Sequence, residues 1–309
     1  MKQLRSGGFL VAAVLLTLLL QGTVGLMPAG ALAALLVPLP AAYLAMRQGL
    51  WAGFAVVLCA ALTGFGLAGY SEAVGYLVQF GVPSLLLPWL LKRGIRWDRA
   101  LALSLLLLLG IGGLFLYGLA ARQQVTVPTL VEGYLQGEIE TALTLAGNMD
   151  LPVSQAAQFE ATVRHTGDLL LQVYPAAAAV GYGLLLLTTL LGLVMAGRSC
   201  YRIPGRPFEE WKVPELLIWG LIVAGGGVLL ADGMVSVVAL NLLVVMLPLY
   251  FLQGLAIVRY FFRSRRVSPL LRTLGYVLLA TLNPLPVLVA GIGVFDLWID
   301  FRKPRNAKD

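Results

Sequence analysis

Charged residues and metal-binding side chains are scarce in this chain. Only 12% of its 309 residues are charged, 59% are hydrophobic, and there are one histidine and two cysteines. A soluble domain has about 25% charged residues, so this chain lacks the polar surface that water requires. Paired His and Cys sets, Gly-rich phosphate loops and a Ser-His-Asp arrangement are also missing. We expect no ATPase activity, no metal, no cofactor and no catalytic residue.

Long apolar runs, such as Leu101–Leu109, indicate helices that cross a lipid bilayer. Strands of a membrane barrel would instead alternate apolar and polar residues. The sequence therefore predicts an all-α polytopic bundle with about eight to ten transmembrane helices. The first apolar run is predicted to stay in the protein as a helix, although Ala29–Ala31 also resembles a signal-peptide cleavage site. The predicted crossings lie near 8–27, 29–46, 50–69, 71–91, 100–121, 169–197, 215–231 and 234–259.

The polar segment 122–168 interrupts the apolar pattern. Val131, Leu135 and Ile139 recur at helical spacing, and Pro152 opens a second helical pattern. We predict two amphipathic helices in this insertion. The predicted domains are a five-helix membrane bundle at 1–121, the insertion at 122–168, and a second bundle with a basic tail at 169–309.

The distribution of charge predicts the orientation. The chain carries a net charge of +7, and the insertion 122–168 has six acidic and two basic side chains. Basic residues concentrate in cytoplasmic loops of membrane proteins. We therefore expect a multi-pass protein of the bacterial inner membrane, with a cytoplasmic N-terminus and an outer insertion. The lipid bilayer accounts for the positive charge, and no nucleic-acid partner is expected.

The last apolar segment, 270–300, is too long for one upright crossing. As a single helix, its residues would extend about 46 Å, against a hydrocarbon core of about 30 Å. Its Asn283–Pro286 stretch breaks helices. A hinged pair of short helices is favoured over one crossing, and it returns the basic tail to the cytoplasm.

Polar residues in predicted crossings are the candidates for ligand binding, because they are costly to place in lipid. Glu72, Tyr76 and Gln79 have the spacing of one helical stripe at the outer end of the fourth crossing. Asn241 and Gln253 lie in the crossing near 234–259, where hydrogen bonds between helices are the alternative to ligand binding.

A second set of residues suggests partner docking. The elbow, defined here as residues 206–214, contains Phe208 and Trp211 among several charges. Asp296 and Asp300 lie four residues apart, and with Lys303 they are predicted to share one helix face at the cytoplasmic end, beside the interfacial Trp298. Ordinary anchoring at the membrane interface explains the elbow equally well. The aspartate pair has the chemistry to bind a cation or basic groups of a partner, and an interfacial ion cluster that ends a helix is the favoured alternative.

The chain contains four distinctive runs, at 206–214, 241–243, 249–256 and 295–303. These runs resemble the YybS-like family of bacterial membrane proteins, which is also known as domain of unknown function 2232. The Phe-Asp-Leu-Trp-Ile-Asp-Phe-Arg ending is the most specific of them. The family is distantly grouped with the S-components of energy-coupling-factor transporters, and the resemblance implies a helical bundle and small-molecule binding.

The favoured hypothesis is a small-solute binding or transport component without its own ATPase, with a separate transporter module as a possible partner. Its pocket is predicted to open outward, near the fourth crossing. The alternative is a structural or assembly protein whose cytoplasmic loops dock other proteins. A membrane enzyme is disfavoured because Glu72 and Asp296 are predicted at opposite faces of the bilayer.

Overall fold

A computed structural model describes residues 2–24, 29–147, 152–197 and 200–302 of the chain, and these residues contain α-helices and no strand. This confirms the predicted all-α class. A π-helical segment, Leu77–Gly81, joins α5 to α6, and a 3₁₀ turn occupies Phe208–Glu210. The helices are α1 Lys2–Thr23, α2 Ala29–Leu36, α3 Leu39–Gln48, α4 Leu50–Ala68, α5 Tyr70–Tyr76, α6 Val82–Lys92, α7 Trp97–Gln123, α8 Val127–Gly147, α9 Val153–Ala196, α10 Leu217–Leu230, α11 Gly233–Ser264, α12 Pro269–Thr281 and α13 Leu285–Ile299.

Six described spans are long and apolar enough to cross a membrane, and a bent pair of helices makes a seventh. The multi-pass membrane architecture is therefore confirmed. Two further apolar helices, Gly7–Thr23 and Leu217–Leu230, are shorter. The spans are Gly30–Gln48, Leu50–Ala68, Tyr70–Lys92, Trp97–Gln123, Ser154–Ala196 and Gly233–Ser264.

The chain forms two compact units. Unit 1 comprises residues 1–130 and 181–205. In it, α3 and α4 approach closely because small residues face each other: a Cβ on Gly53 would lie 2.8 Å from the Ala41 carbonyl oxygen. Small residues permit such close helix packing in membranes.

Unit 2 comprises residues 131–180 and 206–309. Its central helix, α11, packs against α10 and α13. A Cβ on Gly254 or on Gly293 would lie 2.0 Å from a backbone oxygen of the facing helix, so only glycine fits at either position. This close approach brings Gln253, next to Gly254, within hydrogen-bond reach of Asp296, which lies one helical turn after Gly293.

Three predicted segments differ in detail from the structure. The predicted crossing 29–46 consists of α2 and α3, because Pro38 has no amide to continue the helical ladder. The predicted second insertion helix and the crossing after it form one helix, α9, of 44 residues or about 66 Å. That helix is longer than any bilayer core, so part of it lies outside the hydrocarbon.

The break in the last apolar segment is confirmed. Helices α12 and α13 meet at an angle of 98° across a short break at residues 282–284. Leu282 is extended rather than helical, and Pro284 supplies no backbone donor that could continue the helix.

Candidate functional site

The three residues of the predicted outer stripe differ in exposure. Glu72 and Gln79 are exposed, whereas Tyr76 is only 3% exposed and belongs to the apolar core of unit 1. The π-helical segment begins directly after Tyr76, and the amide of Val82 donates to the carbonyl of Leu77 five residues earlier. This wider turn shifts Gln79 around the helix relative to a regular α-helix.

Glu72 has a polar neighbour that the sequence did not single out. Gln21 on α1 and Glu72 on α5 both reach toward Gly64 on α4. A Cβ on Gly64 would lie 3.6 Å from Gln21 Nε2 and 3.9 Å from Glu72 Cγ. The missing side chain of Gly64 therefore leaves room for two polar side chains from different helices.

Two polar atoms in this part of unit 1 are buried without a described hydrogen-bond partner: Gln21 Oε1 and Tyr76 Oη. Most buried polar groups in proteins are satisfied, and the exceptions call for an explanation such as a bound water, ion or ligand. Gln21, Glu72 and Tyr76 are together called the outer polar cluster below.

Asn241 of α11 is hydrogen-bonded to α9 next to Pro175. Its Nδ2 donates to the Gln172 carbonyl at 2.7 Å, and its Oδ1 accepts from the Ala176 amide at 3.1 Å. In a regular helix the Ala176 amide would donate directly to the Gln172 carbonyl, four residues earlier. The Asn241 carboxamide thus replaces one rung of the α9 ladder beside the helix-breaking proline.

Gln253 links three parts of unit 2. Its Oε1 accepts from the Val213 amide at 2.9 Å, and its Nε2 donates to Asp296 Oδ2 at 3.2 Å. Gln253 and Asp296 are both fully buried. The elbow, α11 and α13 are therefore connected through side chains that the sequence had placed in separate sites.

Arg302 completes this arrangement, which is called the elbow network below. Its Nη2 pairs with Asp296 Oδ2, and its Nη1 donates to the carbonyl oxygens of Glu209 and Trp211 at 2.9 and 2.8 Å. The Phe301 amide donates to the other Asp296 oxygen at 3.1 Å. A buried charge is tolerated when it is paired and hydrogen-bonded in this way.

Glu209 extends the network to the end of α11, where its carboxylate pairs with Arg259 and Arg263. Burial raises the pKa of this carboxyl group. The backbone hydrogen bond and the two guanidinium groups outweigh burial, so the pKa is lowered overall.

The ending of α13 differs from the predicted single face. Asp300 has a left-handed backbone, with φ of 45°, and ends the helix. Its carboxylate pairs with Lys212 at 2.9 Å, whereas Asp296 points into the elbow network. Trp298 is exposed beside Phe295, consistent with an interfacial anchor. Lys303, which the sequence placed on the same face, lies outside the described residues.

The aromatic pair of the elbow is stacked. The rings of Phe208 and Trp211 are 6.3 Å apart and inclined by 13°. Arg259 lies 5.9 Å from the Phe208 ring, within the range of a cation–π interaction. The elbow is therefore an ordered segment rather than a loose connection.

Two surface depressions accompany these sites. One, of about 170 Å³, is apolar and lies between α1 and α3 around Phe9 and Tyr43. The other, of about 370 Å³, lies at the end of α11 around Phe261 and Arg265. Neither depression includes a residue of the outer polar cluster.

A scan against family models matches residues 11–297 to the family of predicted membrane proteins designated DUF2232. The chain belongs to this family. Comparisons with curated proteins and with solved structures find no match. Membership places the DUF2232 chain among membrane proteins and assigns no ligand and no partner.

Sequence reasoning on this DUF2232 protein missed several residues that matter in the structure. Gln21 lies in the first predicted crossing, which was treated as wholly apolar. Its polar side chain within an apolar run was the signal that could have identified it. Arg302 and Glu209 were counted only as loop charges. Their partners lie at least 50 residues away, except for the pair of Arg302 with Asp296, so spacing could not reveal them.

Proposed function

We propose that this protein is a small-solute binding or transport component of the bacterial inner membrane without its own ATPase, and that the outer polar cluster is its binding site. The observation that carries the proposal is a pair of buried oxygens, Gln21 Oε1 and Tyr76 Oη, which have no hydrogen-bond partner among the residues that the structure describes. They accompany the exposed carboxylate of Glu72 on the helices that meet at Gly64.

The chemistry of the cluster favours cationic solutes. The Glu72 carboxylate and the Gln21 carbonyl oxygen are acceptors, and Tyr76 Oη both accepts and donates. An ammonium group or a metal cation presents positive charge to such a set. The adjoining π-helical segment supports the assignment, because π-bulges are frequent at functional sites.

The remaining ligand candidates contribute differently. Gln79 is exposed and adjoins the cluster in sequence, so we retain it as a contact for the solute outside the buried part. The hydrogen bonds of Asn241 and Gln253 are made within unit 2, so we propose structural roles for them. A separate transporter module would supply the energy for uptake, as the resemblance to S-components suggests.

The orientation that goes with this proposal has the N-terminus and the C-terminal tail in the cytoplasm. It rests on the positive-inside rule and on the break between α12 and α13. Thiol labelling from outside intact cells tests it, with single cysteines placed at Glu138 and at Glu210.

The proposal is tested by ligand binding to the full chain in nanodiscs. Methylammonium, tetramethylammonium and sodium serve as cationic probes, and acetate serves as the anionic comparison. We expect at least one cation to bind to the parent protein, and we expect Glu72→Gln to abolish this binding. The control is Glu138→Gln, which removes an exposed carboxylate of the insertion and should leave binding unchanged. Equal binding to both variants would remove the outer polar cluster from consideration.

A second function, the docking of a partner protein, is favoured by the elbow network. Burial of Asp296 and Gln253 holds the elbow and the end of α13 in one fixed arrangement. Cross-linking in native membranes tests it: Trp211→Ala and Asp300→Ala should abolish a cross-linked complex that the exposed control Trp219→Ala retains. A complex that all three variants retain would exclude docking at the elbow.

A further inference from the structure

The turn between α11 and α12 carries a concentrated positive charge. Residues 259–272 contain five arginines and no acidic residue. Two of them, Arg259 and Arg263, pair with Glu209. Within the described part of the chain, the other three form no ion pair with a carboxylate. These three are Arg265, Arg266 and Arg272.

A cavity of about 370 Å³ lies at this turn, and it is lined by Phe261, Phe262, Arg265 and Val267. Arg272 reaches the same wall, since its Nη2 donates to the Val267 carbonyl at 3.1 Å. The cavity therefore combines two aromatic rings with two guanidinium groups that pair with no carboxylate in the described ranges.

Two polar atoms beside this cavity are buried and have no described hydrogen-bond partner. They are Nε of Arg272 and Oη of Tyr276. The Tyr276 ring packs against the cavity-lining ring of Phe262, with centroids 5.5 Å apart. Arg272 Nε can only donate and Tyr276 Oη can donate as well as accept, so one acceptor placed here would satisfy both atoms.

Helix α12 supplies further features of an anion site next to lipid. It begins at Pro269 after the N-cap Ser268, so the positive end of its dipole lies at the turn. No residue of α12 is buried, and its first two turns expose Leu270, Leu271 and Leu274. The helix therefore offers apolar side chains beside a positively charged end, as helices at membrane interfaces do.

We propose that this turn is a binding site for the headgroup of an anionic phospholipid. The phosphate accepts from Arg265, Arg272 and Tyr276, and the acyl chains lie along the exposed leucines of α12 and the ring of Phe261. A soluble phosphate would satisfy the donors and leave the apolar surface unused, so the lipid is the better fit. Basic pockets at helix ends bind anionic headgroups in other membrane proteins.

The test compares lipids retained by the full chain. The protein is released from nanodiscs with equal amounts of phosphatidylglycerol and phosphatidylcholine, and bound lipid is counted by native mass spectrometry. We expect phosphatidylglycerol to be preferred. Arg265→Gln and Arg272→Gln should each reduce this preference about fivefold, and together roughly 30-fold. Tyr276→Phe should reduce it by a smaller factor.

The control is the pair Lys92→Gln and Arg99→Gln, which removes two exposed charges from unit 1. Arg265 is exposed and forms no ion pair with any residue that the structure describes, so its variant should keep the unfolding temperature of the parent. The inference fails if the control loses the preference as strongly as the arginine variants. It also fails if phosphatidylcholine is retained equally, or if excess inorganic phosphate displaces the lipid, which would assign the site to a soluble anion.

Discussion

Gln253 donates a hydrogen bond to Asp296 across 43 positions of sequence, and both side chains are fully excluded from solvent. The bond forms because Gly254 and Gly293 allow α11 and α13 to approach closely. It connects the helix pair to the elbow, since the other end of the Gln253 carboxamide accepts from Val213. One amide side chain thus positions the elbow on the pair of helices α11 and α13.

Removing the Asp296 carboxylate should strongly destabilise unit 2. Asp296→Ala leaves the Arg302 guanidinium, whose side chain is only 8% exposed, without its counter-charge. Breaking a buried pair on one side costs about 3–5 kcal/mol. The free energy of unfolding, measured by denaturant titration in mixed micelles, should fall by that amount.

Asp300→Asn is the matched control for this change, because asparagine, unlike alanine, tolerates the left-handed backbone at this position. The pair of Asp300 with Lys212 is considerably more exposed, so the loss should be at most about 1 kcal/mol. Equal losses of unfolding free energy in the two variants would mean that the buried position of Asp296 adds nothing to the stability of the elbow network.

Acidification should weaken the elbow through Glu209. The pKa of this group is lowered in the folded protein, despite burial, by its backbone hydrogen bond and two arginines. Its contribution to stability is therefore complete above the unfolded pKa of about 4.3 and is lost as the pH falls through the lower, folded pKa. Unfolding temperatures measured from pH 7 downward should decline less steeply below about pH 4.3 in Glu209→Gln than in the parent. Glu210→Gln, at the exposed neighbouring position, should follow the parent curve.

Asn241 and Pro175 should be energetically coupled. Asn241→Ala leaves the Gln172 carbonyl and the Ala176 amide without their side-chain partner, which costs about 1–3 kcal/mol. Pro175→Ala allows α9 to close its own ladder at this point, so the same asparagine substitution should cost less in that background. A double-mutant cycle on the free energy of unfolding measures the coupling. Simple additivity would show that Asn241 does not act through the proline site.

Filling the space at Gly64 should block the proposed solute site without removing any of its polar groups. A Cβ at this position meets the ends of Gln21 and Glu72 at 3.6 and 3.9 Å, and a leucine side chain would extend between them. Gly64→Leu should abolish binding of the cationic probe, whereas Gly64→Ala should reduce it only slightly. The control is Gly66→Leu, where a Cβ meets no atom within 4 Å. If Gly64→Leu binds as the parent does, the site lies elsewhere.

The membrane class, the helical architecture and the break near Pro284 could be predicted because they depend on local composition and on the chemistry of proline. The continuity of α9 was missed for a related reason: its polar and apolar halves differ in composition but contain no residue that stops a helix between 153 and 174. The change from polar to apolar residues was therefore taken as a helix boundary, whereas α9 continues through it as one helix.

The polar sites were only partly predictable. Gln253 and Asp296 stood out individually because polar groups are costly in lipid. Their meeting depends on the glycine contacts between α11 and α13, which no sequence spacing encodes. Gln21 likewise became relevant only when α1 and α5 were brought together over Gly64.

The most direct test of the central claim is native mass spectrometry of the full chain, purified gently from its own host, for co-purifying small molecules. The account predicts a reproducible cationic small molecule that is absent from Glu72→Gln and present in Glu138→Gln. A chain that carries no such molecule but retains stable protein partners through Trp211 would contradict solute binding and support docking at the elbow.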